Sequence, residues 1–354
     1  MDQRREWERR LYAAGFAGLH WPERYGGQGR TLVEHLIASE EMGRIGAPES
    51  VNSMGKEMIG GIILQQGTET QKRRFLPAIL EMREIWCQGF SEPEAGSDLA
   101  GVKTRAVLSG DEWIINGQKI WTSAAYRADW CLLLARTGLA EQKHASLTLF
   151  TVPLRTKGIT MRQIERANGD PEFCQVFYDD VRIPADHTIG AVNEGWLAAV
   201  RVLEIERGTN RMYRAARFAN ELRHLLAACR SDAALAPLLG ESYYRQRIAA
   251  LFADIEVLRQ HYHEAVATVS SGNKIGTLGS VIKLHWSEAH RRFTELAIEM
   301  LGHATIPESP IVRAARHRFN ELYLHVQTET VQAGATEVQL DLIARRGLGL
   351  SKVD

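Results

Sequence analysis

Residues 87–100 read Cys87-Gln88-Gly89-Phe90-Ser91-Glu92-Pro93-Glu94-Ala95-Gly96-Ser97-Asp98-Leu99-Ala100. Gly, Ser and Pro cluster here, and such a loop offers backbone N–H groups and hydroxyls to a polar ligand. By composition alone the run reads rather as a plain surface turn, so any further meaning comes from what flanks it. Upstream, residues 1–84 read as helices joined by short loops. Leu32, Val33, Leu36 and Ile37 recur at helical spacing. Thr68-Glu69-Thr70-Gln71 has the form of a capping box, opening a helix that carries Phe75, Leu76, Ile79 and Leu80. Downstream, over 85–194, the hydrophobic period falls toward two. Glu112-Trp113-Ile114-Ile115 runs into Asn116-Gly117, which predicts a hairpin turn. Residues 129–134 and 145–153 read as buried strands, and 174–178 alternates. From Gly195 helical periodicity returns, over about 196–229, 243–270, 277–301, 310–327 and 336–346. Long helices with short connections predict an antiparallel bundle. The expected fold class is α+β multidomain: an N-terminal α-helical domain (1–84), a middle β-barrel or sandwich domain (85–194) and a C-terminal antiparallel helical bundle (195–354).

Composition narrows the function. Of 354 residues 45% are hydrophobic and 24% charged, and 43 Lys+Arg balance 43 Asp+Glu. Zero net charge argues against nucleic acid as a partner, because phosphate binding leaves a basic excess. No apolar run approaches the roughly 18 residues of a membrane span, so no membrane insertion is expected. The start, Met1-Asp2-Gln3-Arg4-Arg5-Glu6, lacks the apolar stretch of a secretory signal. Cys87, Cys131, Cys174 and Cys229 lie far apart, which speaks against a metal clip and fits a reducing cytoplasm. There is no G-x-S-x-G and no P-loop. Gly27-Gln28-Gly29 lacks a third glycine and follows a helical region, so it is no dinucleotide fingerprint. His261 and His263 stand at i and i+2, which do not share a helix face, so no metal site is expected. Apolar faces on 243–270 (Ile248, Leu251, Ile255, Leu258) and 277–301 (Leu278, Ile282, Leu284) predict an oligomer that covers them.

The 87–100 stretch resembles the signature of the acyl-CoA dehydrogenase family, S/T-E-P-x-A-G-S-D. The resemblance continues in order along the chain. Asn116-Gly117-Gln118-Lys119-Ile120-Trp121-Thr122-Ser123 is similar to the family's N-G-x-K-x-W segment. Val181-Arg182-Ile183-Pro184 with Gly195-Trp196 is similar to its join from β domain to bundle. Ser280–Leu284 with Ser287-Glu288 matches a bundle helix, and Gly334-Ala335-Thr336-Glu337-Val338-Gln339 the terminal motif. The resemblance implies an FAD enzyme that desaturates an acyl thioester: a carboxylate removes the α-proton and the β-hydride passes to flavin N5. It implies that Phe90 and Ser91 meet the flavin ring through backbone and hydroxyl, that Trp121 packs on the ring, and that Ser123 stands near N5. Ser97 falls on the pantetheine or thioester path, and Thr336 and Glu337 join the cofactor-binding set.

The departures carry information too. Where many members have a catalytic Glu before the terminal motif, this chain has Ala333, which cannot take a proton. A second branch of the family places its Glu in the first long bundle helix, directly before an Arg. Here Glu206-Arg207 fills that slot, and Asn210 at i+4 from Glu206 offers no intrahelical ion pair. Glu204 lies two positions back, about 200° around the helix, and is kept as a substrate-side residue. The family's R-x-F-G motif is replaced by Tyr243-Tyr244-Arg245-Gln246-Arg247, and its Q-x-x-G-G-x-G loop by residues 299–305. The resemblance leads us to expect that the family's first helix is missing before Arg5. These features are closest to the bacterial heterotetrameric subset that degrades steroid side chains. They imply an acyl-CoA or acyl-carrier thioester as substrate, an electron-transfer flavoprotein as acceptor, and a homotetramer or α2β2 heterotetramer. Two alternatives stay open: a non-catalytic or half-site subunit, and a flavin monooxygenase or acyl-carrier-protein dehydrogenase on the same scaffold.

Overall fold

The computed structural model describes the backbone of residues 2–207, 211–306 and 308–351, and their side chains except for Asp2 and residues 204–207. The chain divides into two compact units, Met1–Thr31 with Pro48–Glu206 and Leu32–Ala47 with Arg207–Asp354. It opens with α1 (Asp2–Ala13), α2 (Leu32–Arg44), α3 (Gly60–Gln66) and α4 (Glu69–Leu80). The capping box forms as the sequence predicts: Gln71 N–H donates to Thr68 Oγ1 at 3.2 Å and Thr68 N–H to Gln71 Oε1 at 2.9 Å. Eight strands follow: β1 (Trp86–Gly89), β2 (Arg105–Ser109), β3 (Glu112–Ser123), β4 (Trp130–Arg136), β5 (Leu147–Pro153), β6 (Ile159–Ile164), β7 (Phe173–Pro184) and β8 (Thr188–Ile189). They make one mixed sheet in the order β6-β7-β3-β2-β4-β5-β8, with β1 pairing parallel to β4.

β4 shows why this block reads as continuous apolar runs. Leu132 and Leu134 belong to a core shared with Trp21, Ile59, Ile62, Leu76 and Ile79 of the helical segments. Cys131 and Leu133 belong to a second core with Phe150, Val152 and Val176. A strand covered on both faces needs no polar alternation. Each fully buried aliphatic side chain there contributes about 1.5–3 kcal/mol.

The expected hairpin turn at Asn116-Gly117 is corrected by the structure. β3 runs straight through both residues, and the β2–β3 turn is at Gly110, φ 66°. Asn116 instead pairs across the sheet: its Nδ2 donates to Asp180 Oδ1 and its Oδ1 accepts the Asp180 N–H, both at 2.9 Å. Gly117, φ 146°, sits where a Cβ would lie 2.6 Å from Thr104 Cα. The pair serves a register shift between β3 and β7, not a chain reversal.

In the second unit α2 is joined by α6 (Arg214–Arg230), α7 (Ser242–Ser270), α8 (Leu278–Leu301), α9 (Pro310–Val326) and α10 (Thr336–Leu342), after α5 (Gly195–Arg207) of the first. The single helix expected over 196–229 is therefore two, α5 and α6. Arg211, φ 57°, is outside right-handed helical space. The apolar residues read as an oligomer face are also corrected. Ile248, Leu251, Ile255, Leu258 and Ile282 are buried in the bundle's own core with Leu222, Trp286 and Phe293, so they leave no uncovered stripe. Among the described residues no helix is long and apolar enough to cross a membrane. His263 Nε2 lies 2.9 Å from Glu40 Oε1, and His261 packs edge-on against His285.

Candidate active site

The 90–104 loop is held at both ends by buried cations. At its start the Lys119 ammonium donates to Phe90 O at 2.9 Å and pairs with Glu92 Oε1 at 2.7 Å. Glu92 also accepts the backbone N–H groups of Lys103 (2.6 Å) and Thr104 (2.9 Å). Burial pushes the Glu92 carboxyl up, but the ammonium and these donors outweigh it and hold the group below its free value. Burial pulls Lys119 down to about 8 against the opposing pull of Glu92. At the loop's far end Arg136 donates to Ala100 O (2.7 Å) and Val102 O (3.0 Å), and also reaches Lys143 O and Ser146 Oγ. Lys119 is the lysine of the N-G-x-K-x-W segment, to which the sequence assigns no role, and Arg136 stands in none of the motifs. The available signal was a lysine at an inward register of β3, on the buried side of a strand whose Trp113 and Ile115 face the core.

Beside this clamp β3 bulges. Lys119 faces Val176 and Thr122 faces Cys174, so Ile120 and Trp121 stand opposite Gln175 alone. The bulge turns Trp121 to φ 59°, a conformation rare for a bulky residue. The residue is 56% exposed, with Phe173 edge-on to its indole at 5.8 Å. Ile120 N–H donates to Ser91 O at 2.9 Å, which ties the loop to the bulge. Ser123 is half-buried opposite Phe173. Phe90 is buried, Ser91 half-buried and Ser97 exposed on the same loop. The buried Thr122 Oγ1 has no hydrogen-bond partner, and Ser91 N–H meets no acceptor among the described residues. An exposed indole held in a strained conformation, beside hydroxyls and an unused N–H, fits a flat aromatic ring rich in acceptors, such as a flavin.

Thr336 and Glu337 lie in the second unit. Lys283 Nζ donates to Thr330 O (3.3 Å) and Thr336 N–H to the same carbonyl (3.0 Å). Thr336 Oγ1 donates to Glu288 Oε1 at 3.0 Å. Glu337 is exposed. The intervening turn carries Ala333, φ 56°, and Gly334, φ 95°, where a Cβ would lie 2.1 Å from Gln339 Nε2. α8 grips this turn again through His290, whose Nδ1 lies 2.8 Å from Glu329 Oε2. Arg247, in the segment that replaces R-x-F-G, is engaged by Glu299 (2.5 Å) and Tyr243 (2.7 Å). Glu204, Glu206 and Arg207 fall on the last turns of α5, and their side chains lie outside the described residues.

Three family descriptions match the chain in succession: acyl-CoA dehydrogenase N-terminal domain over residues 1–83, middle domain over 87–181 and C-terminal domain over 193–348. Acyl-CoA dehydrogenase IpdE1 of Mycobacterium tuberculosis is 40% identical, over 99% of this chain and 89% of its own length. Among solved structures, the Tcur3481-Tcur3483 steroid ACAD is 30% identical with a TM-score of 0.87, covering 100% of this chain and 90% of that one. The ChsE4-ChsE5 complex from Mycobacterium tuberculosis is 30% identical with a TM-score of 0.85, covering 99% and 90%.

Proposed function

Because the chain belongs to the acyl-CoA dehydrogenase family, we propose that it uses FAD to desaturate an acyl-CoA between Cα and Cβ, with Glu206 as the base. The strip at the β3 bulge carries this reading: Trp121 held out at φ 59° beside Ser91, whose N–H meets no acceptor among the described residues. Bound FAD would supply the acceptor for the hydride leaving Cβ. The chain's own residues do the rest. Phe90 and Ser91 present backbone and hydroxyl to the ring, Trp121 covers it, and Ser123 donates a hydrogen bond beside it. Ser97 lines the thioester path, Thr336 and Glu337 complete the cofactor set, and Glu204 serves the substrate side. The thioester carbonyl must be polarised by hydrogen bonds before a carboxylate can take the α-proton. Glu206 takes that proton, since Ala333 has no side-chain carboxylate to offer from the terminal turn. Arg207, next in the chain, favours the charged carboxylate.

The proposed substrate is a steroid-derived acyl-CoA and the proposed acceptor an electron-transfer flavoprotein, in the cytoplasm, with all four cysteines free. The proposed domains are 1–84, 85–194 and 195–354. The proposed assembly is an α2β2 heterotetramer with a second acyl-CoA dehydrogenase chain, in preference to a homotetramer. Two observations support that: the similar structures named for two different chains, and the engagement of Arg247 by Glu299 where the family has a phosphate-binding motif. The test is anaerobic addition of a steroid side-chain acyl-CoA to the chain alone and to the chain co-purified with a second acyl-CoA dehydrogenase chain co-expressed with it. Bleaching of a yellow flavin is expected. A preparation that stays colourless with added FAD, alone and with the partner, sinks the proposal.

A further inference from the structure

Lys119 is fully buried, and a buried ion pair is often no more stabilising than a well-packed apolar pair. Its place therefore calls for a reason beyond stability. The ammonium bonds the carbonyl of the Phe90–Ser91 peptide at 2.9 Å. In a planar trans peptide the N–H points opposite to the C=O, so the Ser91 N–H is directed away from Lys119. That N–H meets no acceptor among the described residues, while Ser91's own carbonyl is fixed by the Ile120 N–H at 2.9 Å. A cation on the oxygen of a peptide polarises the whole unit and strengthens its N–H as a donor, more so in a low-dielectric interior.

We infer that Lys119 is a positioning residue that polarises the Phe90–Ser91 peptide toward the flavin and thereby favours the reduced ring; this rests on the flavin reading above. Reduction adds electron density to the ring, so a stronger donor stabilises the reduced form more than the oxidised one. Glu92 keeps the ammonium in place and, through Lys103 N–H and Thr104 N–H, fixes the loop that returns from the site.

Removing Lys119 alone would strand a buried carboxylate, so the variant to make is Lys119→Met with Glu92→Gln. The glutamine keeps an oxygen for the two N–H groups. The measurement is the midpoint potential of bound FAD by dye-coupled redox titration, with FAD affinity and thermal melting recorded in parallel. The variant should bind FAD and melt cooperatively. Its reduced-to-oxidised ratio at a fixed potential should fall about tenfold, about 30 mV for a two-electron couple. Should the methionine variant not fold, Lys119→Gln with Glu92→Gln places an uncharged donor there and is read the same way. A potential equal to wild type overturns the inference, even if FAD affinity drops, because it makes Lys119 a clamp only. Wild type that takes up no FAD, alone or with its partner, overturns the flavin reading and this inference with it.

Discussion

His290 sits buried between carboxylates on two elements: Glu329 at 2.8 Å and Glu221 at 3.4 Å, with the Phe218 ring tilted against it at 4.1 Å and Arg214 and His325 beside Glu329. Burial lowers its pKa, but the two carboxylates win and raise it from 6.5 to about 9. A group whose folded pKa is raised contributes stability that is complete below its unfolded value and is lost as pH rises through the folded one. Lys119, lowered to about 8, works in the opposite sense above that pH, so the clean window is pH 6.5 to 8. Over it, wild type should lose about 2 kcal/mol relative to His290→Gln, read from urea unfolding at each pH. Parallel pH profiles for the two proteins would remove the assignment. The single residues differ in how readable they were. Trp121, Ser91 and Ser97 stand inside recognisable motifs. The Lys119–Glu92 pair and the His290 cluster join positions far apart in sequence, and only the fold brings their partners within reach.

At the scale of elements, local chemistry was readable wherever the partner is also local. The α4 capping box needs only Thr68 and Gln71, and it forms. Asn116-Gly117 misled because its partners are distant: Asp180 for the asparagine and the Thr104 backbone for the glycine. Gly117→Ala should therefore act on the β2–β3–β7 region. A Cβ 2.6 Å from Thr104 Cα cannot be accommodated without moving backbone, and we expect about 1–3 kcal/mol of destabilisation, measured by thermal melting. An unchanged melting temperature would show that β2 can shift away freely. The helix expected over 196–229 failed for a related reason. Hydrophobic period reports which face is buried and is blind to a backbone break such as that before Arg214.

For the whole molecule, the order of helical, strand and helical blocks followed from the change of period alone, and the family motifs then supplied the chemistry. What the period could not separate was core from interface. Ile248, Leu251, Ile255 and Leu258 make an apolar stripe that fits a subunit contact or a bundle interior, and the bundle itself covers them. A partner chain is supported instead by the similar structures named for two chains and by Arg247, held by Glu299 and Tyr243. The account as a whole turns on one carboxylate, because Ala333 leaves the terminal turn without a base. The direct measurement is anaerobic stopped-flow reduction of bound flavin by a steroid side-chain acyl-CoA, in wild type and in Glu206→Gln. Glutamine keeps the shape and loses the basic oxygen, so the variant should hold FAD as wild type does while flavin reduction slows by about 10²–10⁴-fold. Reduction of the Glu206→Gln flavin at the wild-type rate would contradict the account and move the search to Glu204 or to a carboxylate of the partner chain.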